Sequence, residues 1–204
     1  MLFYPPPGAP DWLFDLEERA VNFARYGPAD ESGPTTATPF GPSFAVRAEV
    51  MRGLRFEESV GPDGSDGYAM GTETMLLVEL VDPERPAVYV ADSVVHHIVR
   101  PEQLDRRALC LRSFRMGRGL VVLCSRHNPP SLRYVFGTPR YLWRAAAGAL
   151  WRTLPLPDRQ RSAHFEAELR FHRLRGEIME HRRMSSPREQ TGPHRPAPGK
   201  GPNA

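Results

Sequence analysis

Residues 61–118 read GPDGSDGYAMGTETMLLVELVDPERPAVYVADSVVHHIVRPEQLDRRALCLRSFRMGR, and this stretch decides the fold class. It predicts a helix that begins near Thr72, buries Met75, Leu76, Leu80 and Val81, and ends at residues 82–83. The β-branched run at residues 87–95 predicts one strand, or two short ones, ending at His96 and His97. Pro101 then begins an arginine-rich helix. Its four apolar side chains that face inward are Leu104, Ala108, Leu111 and Phe114. The alternation of helix and strand predicts an α/β protein.

The flanks add further elements. An extended proline-rich start at residues 4–10 precedes an amphipathic helix predicted over residues 12–26, capped by Asp11. A loop over residues 27–39 leads to a short apolar strand at residues 40–45 and a turn of helix in residues 47–54. Two more helices are predicted, around residues 141–154 and 162–183. After Met184 the composition becomes Ser, Pro, Gly, Arg and His, which predicts a disordered tail.

Composition limits the class of protein. The 204 residues are 40% hydrophobic and 25% charged, which suits one globular unit with tails. The pI is about 9.1, yet the basic residues are mostly Arg spread among acids, which disfavours a nucleic-acid partner. Met1 is not followed by a basic segment, and no apolar run approaches the roughly 20 residues of a spanning helix. We therefore expect a cytoplasmic protein, with a peripheral place at the inner face of the membrane as an option.

The two cysteines, Cys110 and Cys124, stand in apolar surroundings. Neither has metal-ligand spacing or a histidine close by in sequence. They are therefore predicted to be buried free thiols in a reducing compartment.

Three segments, in a fixed order, resemble a known family. Residues 39–47, PFGPSFAVR, resemble a Gly-x-Asn-x-Ala segment, with Gly41 and Ala45 retained and Ser43 where Asn is usual. Gly71, Thr72 and Glu73 resemble a Gly-Glu-Asp segment, and residues 94–104, VVHHIVRPEQL, resemble the strand that follows it. Together they resemble the acceptor-side half of a family 2 glycosyltransferase of the GT-A fold. The resemblance covers residues 10–122, and more loosely residues 136–144.

The resemblance implies a fold and an activity. The fold would be a partial GT-A-type mixed sheet with flanking helices in residues 1–122, a C-terminal helical extension in residues 123–183 and a disordered tail in residues 184–204. The activity would be inverting transfer of a sugar from a nucleotide-sugar donor to a hydroxyl of an acceptor glycan or lipid. Glu73 would be the catalytic base, His97 a ligand of a divalent cation (Mn or Mg), and Gly41, Ser43 and Arg100 would bind the acceptor.

Plainer interpretations stand beside these roles. A glutamate in the first turn of a helix is an ordinary stabilising charge, and a histidine at the end of a strand is more often a hydrogen-bonded structural residue. Guanidinium groups match phosphate, but a row of arginines also makes an ordinary solvated helix face; here the row is 100, 106, 107, 112, 115 and 118.

Important parts of the family pattern are absent from the sequence. It contains no Asp-x-Asp element and no strand-glycine-helix unit of a nucleotide-binding half. A truncated transferase, inactive or nearly so alone, is therefore expected, or a chain whose partner supplies the donor half. Two alternatives from other classes are a non-catalytic interaction module and an arginine-rich membrane-surface binder. The latter would use residues 140–152, RYLWRAAAGALWR, with Trp143 and Trp151 at the interface.

Overall fold

The protein is described by a computed structural model over residues 2–4, 6–9, 27, 30–39, 41–125, 133–154 and 161–186. Within these ranges it is a mixed α/β structure of short strands and five α-helices. The strands are β1 Leu2–Tyr4, β2 Gly33–Thr35, β3 Ala87–Tyr89, β4 His96–Ile98, β5 Tyr134–Val135 and β6 Thr138–Pro139. The helices are α1 Ala48–Met51, α2 Thr72–Leu80, α3 Arg106–Ser125, α4 Arg140–Arg152 and α5 Arg161–Ser185, with a 3-10 turn at Pro101–Leu104.

The described strands pair into three separate two-stranded ladders. β1 and β4 are parallel, with Leu2 opposite His96. β2 and β3 are antiparallel, with Pro34 opposite Val88, and β5 and β6 form a hairpin. The sheets are therefore small, and the helices carry the core.

The main helical contact is between α3 and α5. Its apolar cluster consists of Val99, Leu109, Cys110, Phe165 and Leu169. Small residues let the two helices approach closely, because a β-carbon added at Gly117 would collide with the Arg173 carbonyl, and one at Gly176 with the Phe114 carbonyl.

Two further clusters complete the core. α4 packs on α5 through Leu142, Ala146, Ala149, Leu174 and Ile178. Val60, Ala69 and Met75 attach the segment before α2, and α2 itself, to Val122 and Leu123 of α3. α2 is thereby positioned by α3.

Several predicted elements are confirmed. The helix beginning at Thr72, the helical turn within residues 47–54 and the two C-terminal helices are all present. Of the two alternatives for the run that ends at His96 and His97, two short strands are correct, but they are β3 and β4, and residues 90–95 between them belong to neither. The predicted helix over residues 12–26 and the tail after residue 186 lie outside the described residues. The division at residue 122 falls inside α3 and stays a prediction.

The strand predictions for the N-terminal part are wrong. Residues 41–45 are irregular rather than a strand, because Pro42 has no N–H group for a ladder. Leu2–Tyr4 and Gly33–Thr35 form strands where an extended or loop chain was predicted. A three-residue strand is too short to show alternation of apolar and polar residues.

The predicted face of the arginine-rich helix is also corrected. The chain makes a 3-10 turn first and α3 begins at Arg106. The buried positions of α3 include Leu109, Ser113 and Gly117. The predicted stripe of Leu104, Ala108, Leu111 and Phe114 is half-buried, and Leu104 packs against the cluster around Leu109. In α2 the buried residues are Met75, Leu76 and Leu77, not Leu80 and Val81.

The cysteine prediction is half right. Both thiols are free, but Cys110 is buried and Cys124 is exposed. Among the described helices, none combines the length and the apolar character needed to cross a bilayer.

Candidate functional site

The start of α2 places Glu73. Gly71 caps the helix with φ 119°, a left-handed conformation that favours glycine, and its carbonyl accepts from Met75 N–H at 3.0 Å. Thr72 Oγ1 donates to the Val60 carbonyl at 2.7 Å. Glu73 follows in the first turn and is exposed. Its carboxylate therefore lies in solvent near the positive end of the helix.

Gly41 lies directly against Glu73. A β-carbon added at Gly41 would be 3.2 Å from Glu73 Cδ and 3.4 Å from its Oε1. The two segments that resemble the acceptor and base motifs, separated by a helical turn and a long loop, are thus adjacent in the structure. A side chain at position 41 would displace the carboxyl group.

A cleft begins one residue beyond Gly41. Its volume is about 550 Å³. Residues 35–39 and 42–45 contribute one wall, which includes the half-buried Ser43, and β3 with residues 90–95 after it contributes the other. The lining residues are Thr35, Ala37, Pro39, Pro42, Ser43, Phe44, Ala45, Ala87, Val88, Tyr89, Val90, Ser93 and Val95. The cleft is mixed in character, with the Ser43 and Ser93 hydroxyls and the Tyr89 ring among aliphatic side chains.

His97 occupies the middle of β4. It is half-buried and pairs with Phe3 of β1. Among the described residues, the one group of three or more His, Cys, Asp or Glu side chains close enough to share a metal ion does not contain His97. The role of His97 as a cation ligand stays a prediction.

Arg100 is exposed at the end of β4. Its backbone N–H donates to Gln103 Oε1 at 2.8 Å, and its carbonyl accepts from Gln103 N–H at 3.0 Å. These two bonds start the 3-10 turn and leave the Arg100 side chain at the surface. Its acceptor-binding role stays a prediction.

The arginines of α3 are used mainly inside the fold. Arg115 Nε donates to the Asp66 carbonyl at 2.8 Å, and its guanidinium carbon lies 4.3 Å from the centre of the Tyr68 ring. Arg118 donates to the Gly67 carbonyl. Arg112 is largely buried, and desolvation lowers its pKa. These contacts attach residues 66–70 to α3 and thereby fix the approach to α2.

Comparison with protein-family models, curated proteins and solved structures finds no match. The geometry around Glu73 therefore carries the functional argument. It brings together Gly41 and Glu73, with Ser43 in the adjoining cleft. His97 lies instead on β4, and Arg100 follows two residues after that strand ends.

Sequence reasoning missed the far wall of the cleft. Val88, Tyr89 and Val95 line it. The feature of the sequence that could have indicated this wall is the β-branched run at residues 87–95, whose apolar side chains favour packing against another part of the chain. The Tyr89 hydroxyl also lies 3.8 Å from the position of a β-carbon at Gly27. β3 therefore joins the cleft to the N-terminal loop.

Proposed function

We propose that this chain carries the acceptor side of an inverting glycosyl-transfer site of the family 2, GT-A type, with Glu73 as the general base. The observation that supports it is the contact between Gly41 and the Glu73 carboxyl group. Pro42, the residue after Gly41, lines a cleft of about 550 Å³. The resemblance assigned the segments of Gly41 and Glu73 to one site. Gly41 leaves room for the carboxylate, and Ser43 offers a hydroxyl to an acceptor in the cleft.

On the acceptor side, glycosyl transfer requires one carboxylate that accepts a proton. An exposed carboxylate in the first turn of a helix interacts favourably with the positive end of the helix dipole. It accepts the proton of the acceptor hydroxyl while that oxygen attacks the anomeric carbon, and the bond from that carbon to the nucleotide diphosphate breaks. Attack from the face opposite the leaving group inverts the configuration.

The divalent cation (Mn or Mg) implied by the resemblance does not fit the described residues alone. A manganese or magnesium ion prefers several oxygen ligands, and His97 has no such group of ligands among the described residues. The role of Glu73 as base does not depend on the ion. A partner chain that supplies the donor half would have to bring the carboxylates, the nucleotide sugar and the cation.

Acceptor binding is the direct test. Isotope-labelled protein is titrated with a panel of methyl glycosides while backbone amide resonances are recorded. Shifts should concentrate on Gly41, Ser43 and Tyr89, and Glu73→Gln should bind the same saccharides. A panel that leaves these amides unmoved contradicts the proposal.

Turnover tests the base. In an active form reconstituted with a donor-half chain, Glu73→Gln should abolish transfer and leave donor binding nearly intact. Glu84→Gln, at an exposed acid in a surface turn, is the matched control and should keep full activity. Equal turnover of Glu73→Gln and the control would remove Glu73 as the base. A calorimetric titration of this reconstituted form with UDP and manganese separates the transferase from a non-catalytic interaction module.

A second candidate function, binding to an anionic membrane surface, is favoured by the outer face of α4. Trp151 is 69% exposed and Tyr141 55% exposed, and Arg140, Arg144 and Arg152 are exposed on the same helix. Tryptophan, tyrosine and arginine together suit the interface between water and lipid headgroups. Trp143 differs, because its Nε1 donates to the Val135 carbonyl at 3.1 Å and its ring packs on the α4–α5 cluster.

Vesicle co-sedimentation tests this second candidate. The full chain should bind vesicles that contain anionic phospholipid and should not bind neutral ones. Trp151→Ala should reduce binding without loss of stability, because its ring is exposed. Binding that is unchanged in Trp151→Ala, or equal on both kinds of vesicle, excludes this function.

A further inference from the structure

α3 and α5 bring together three side chains of the types that bind transition metals. Cys110 lies on α3, and Glu168 and His172 lie one turn apart on α5. One ligand atom from each, the Cys110 Sγ, a carboxylate oxygen and an imidazole nitrogen, all lie within 4.8 Å of one another. Two ligands at positions i and i+4 share one face of a helix, and Cys110 meets that face from the neighbouring helix.

We propose that Cys110, Glu168 and His172 form a binding site for a zinc-class divalent cation that joins α3 to α5. Thiolate, imidazole and carboxylate are the ligands that zinc uses in proteins. Three protein ligands leave the fourth tetrahedral position to water. The site uses neither Glu73 nor His97 and does not depend on the proposed transferase activity.

The geometry is close to what such an ion needs. Zinc lies about 2.0–2.3 Å from its ligands, so tetrahedral ligand atoms stand roughly 3.3–3.8 Å apart. Atoms that stand at the 4.8 Å limit must therefore draw in by about 1–1.5 Å. Glu168 and His172 are half-buried, and a change in their side-chain torsions alone can provide this movement.

The surroundings contain both supporting and competing charges. Arg106 Nε lies 2.8 Å from Glu168 Oε2, and its Nη2 lies 2.8 Å from Oε1, so the ion must take one carboxylate oxygen from this pair. The Arg106 side chain is 69% exposed and can turn into solvent. Arg175 Nη1 is 3.5 Å from His172 Nδ1, too far to hold the ring firmly.

The protonation states of the two ligands act on binding in opposite directions. Burial raises the pKa of the Cys110 thiol to about 12, so the thiol is neutral in the ion-free protein and the need to displace its proton weakens binding. Desolvation, then the Arg175 charge, lowers the pKa of His172, which favours the neutral imidazole that a metal requires. On binding, the Cys110 S–H bond breaks, a bond from sulfur to the metal forms and the proton passes to water.

Cobalt(II) is the probe, because a cobalt–thiolate bond gives a charge-transfer absorption band and tetrahedral cobalt gives intense visible bands. The full chain titrated with cobalt should develop both at one equivalent, and zinc should displace the cobalt. Cys110→Ser should lose the thiolate band, and His172→Ala should weaken binding at least about tenfold. Cys124→Ser, at the exposed cysteine of the same helix, is the matched control and should keep the full spectrum.

The thermal unfolding midpoint, measured with and without zinc, provides a second test that does not depend on any single variant. Zinc should raise the midpoint of the wild type and of Cys124→Ser, because an ion that binds the folded state stabilises it. It should leave the midpoint of His172→Ala nearly unchanged; that side chain is half-buried, so the variant is expected to fold. A thiolate band that survives in Cys110→Ser, or a wild type that gives no thiolate band with excess cobalt, overturns the proposal.

Discussion

Arg118 and Glu180 form an ion pair across the contact between α3 and α5, with Arg118 Nε 2.6 Å from Glu180 Oε2. The Glu180 side chain is fully buried, and its other oxygen accepts from Arg183 Nε at 2.7 Å. Arg118 also donates to the Gly67 carbonyl. One buried carboxylate is therefore linked through Arg118 to the segment that leads into α2 and Glu73.

Removing the carboxylate should be costly. Glu180→Ala leaves Arg118, whose side chain is only 13% exposed, without its buried partner, and breaking such a pair typically costs about 3–5 kcal/mol. Denaturant unfolding measures the loss. Glu102→Ala, at an exposed acid, is the control and should leave the midpoint unchanged. Equal stability of the two variants would mean that the ion pair contributes nothing to the fold.

At the crossing of α3 and α5, replacing glycine by alanine should lower stability, although helix propensity alone would predict that it raises stability. Glycine to alanine inside a helix normally stabilises by roughly 1 kcal/mol. At Gly117 and Gly176 the added methyl group meets a backbone carbonyl of the neighbouring helix, so each alanine variant should instead lose about 1–3 kcal/mol through overpacking.

Gly148 of α4 is the matched control for these variants. A β-carbon there meets nothing within 4 Å, so Gly148→Ala should raise the free energy of unfolding. The free energy of unfolding of the three alanine variants, measured with denaturant, tests this prediction. If all three were stabilised alike, α3 and α5 would not approach as closely as described.

The sequence predicts α4 and α5 well because their apolar residues recur at helical spacing over many turns. It does not predict β1 and β2, because three residues carry no readable period and Pro34 argues against a strand. No local pattern predicts the contact of Gly41 with Glu73, and only the resemblance, which assigned both residues to one site, connected them. The close approach at Gly117 and Gly176 and the meeting of Cys110 with His172 depend on which helices pair, and no local pattern encodes that pairing.

Glu177 makes stability depend on pH. Desolvation raises its pKa, and Arg173, with Nε 3.8 Å from Oε1, only partly offsets this. Between the unfolded value near 4.5 and the higher folded value, the folded state binds more protons. The contribution of Glu177 is thus fully present below that range and is lost as pH rises through it.

Glu177→Gln should remove this dependence. The free energy of unfolding of the variant, relative to that of the wild type, should increase from pH 4 to pH 7, so the variant becomes relatively more stable. Unfolding curves at both pH values for both proteins provide the measurement. A relative stability that falls with rising pH would show that the Glu177 carboxylate is stabilised, not destabilised, by its surroundings.

Thr72 connects the fold to the candidate base. Its hydroxyl donates to the carbonyl of the buried residue Val60 at 2.7 Å. A β-carbon added at the neighbouring Gly61 would lie only 3.0 Å from the Thr72 Oγ1 atom. Thr72→Val removes the donor and should cost about 1 kcal/mol, while Thr72→Ser should keep most of the stability. Thr74→Val, on the same helix, controls for the change of residue type.

Hydrogen exchange at the Met75 amide shows whether the loss is local. This N–H donates to the Gly71 carbonyl at the start of α2, so it should exchange faster in Thr72→Val than in Thr72→Ser. Because Glu73 is the next residue, the same variant should also loosen the contact between the Glu73 carboxyl group and Gly41. Unchanged exchange and stability in Thr72→Val would show that the Val60 bond does not hold the first turn of α2, and the placement of Glu73 would then depend on the packing of Met75 and Leu76 alone.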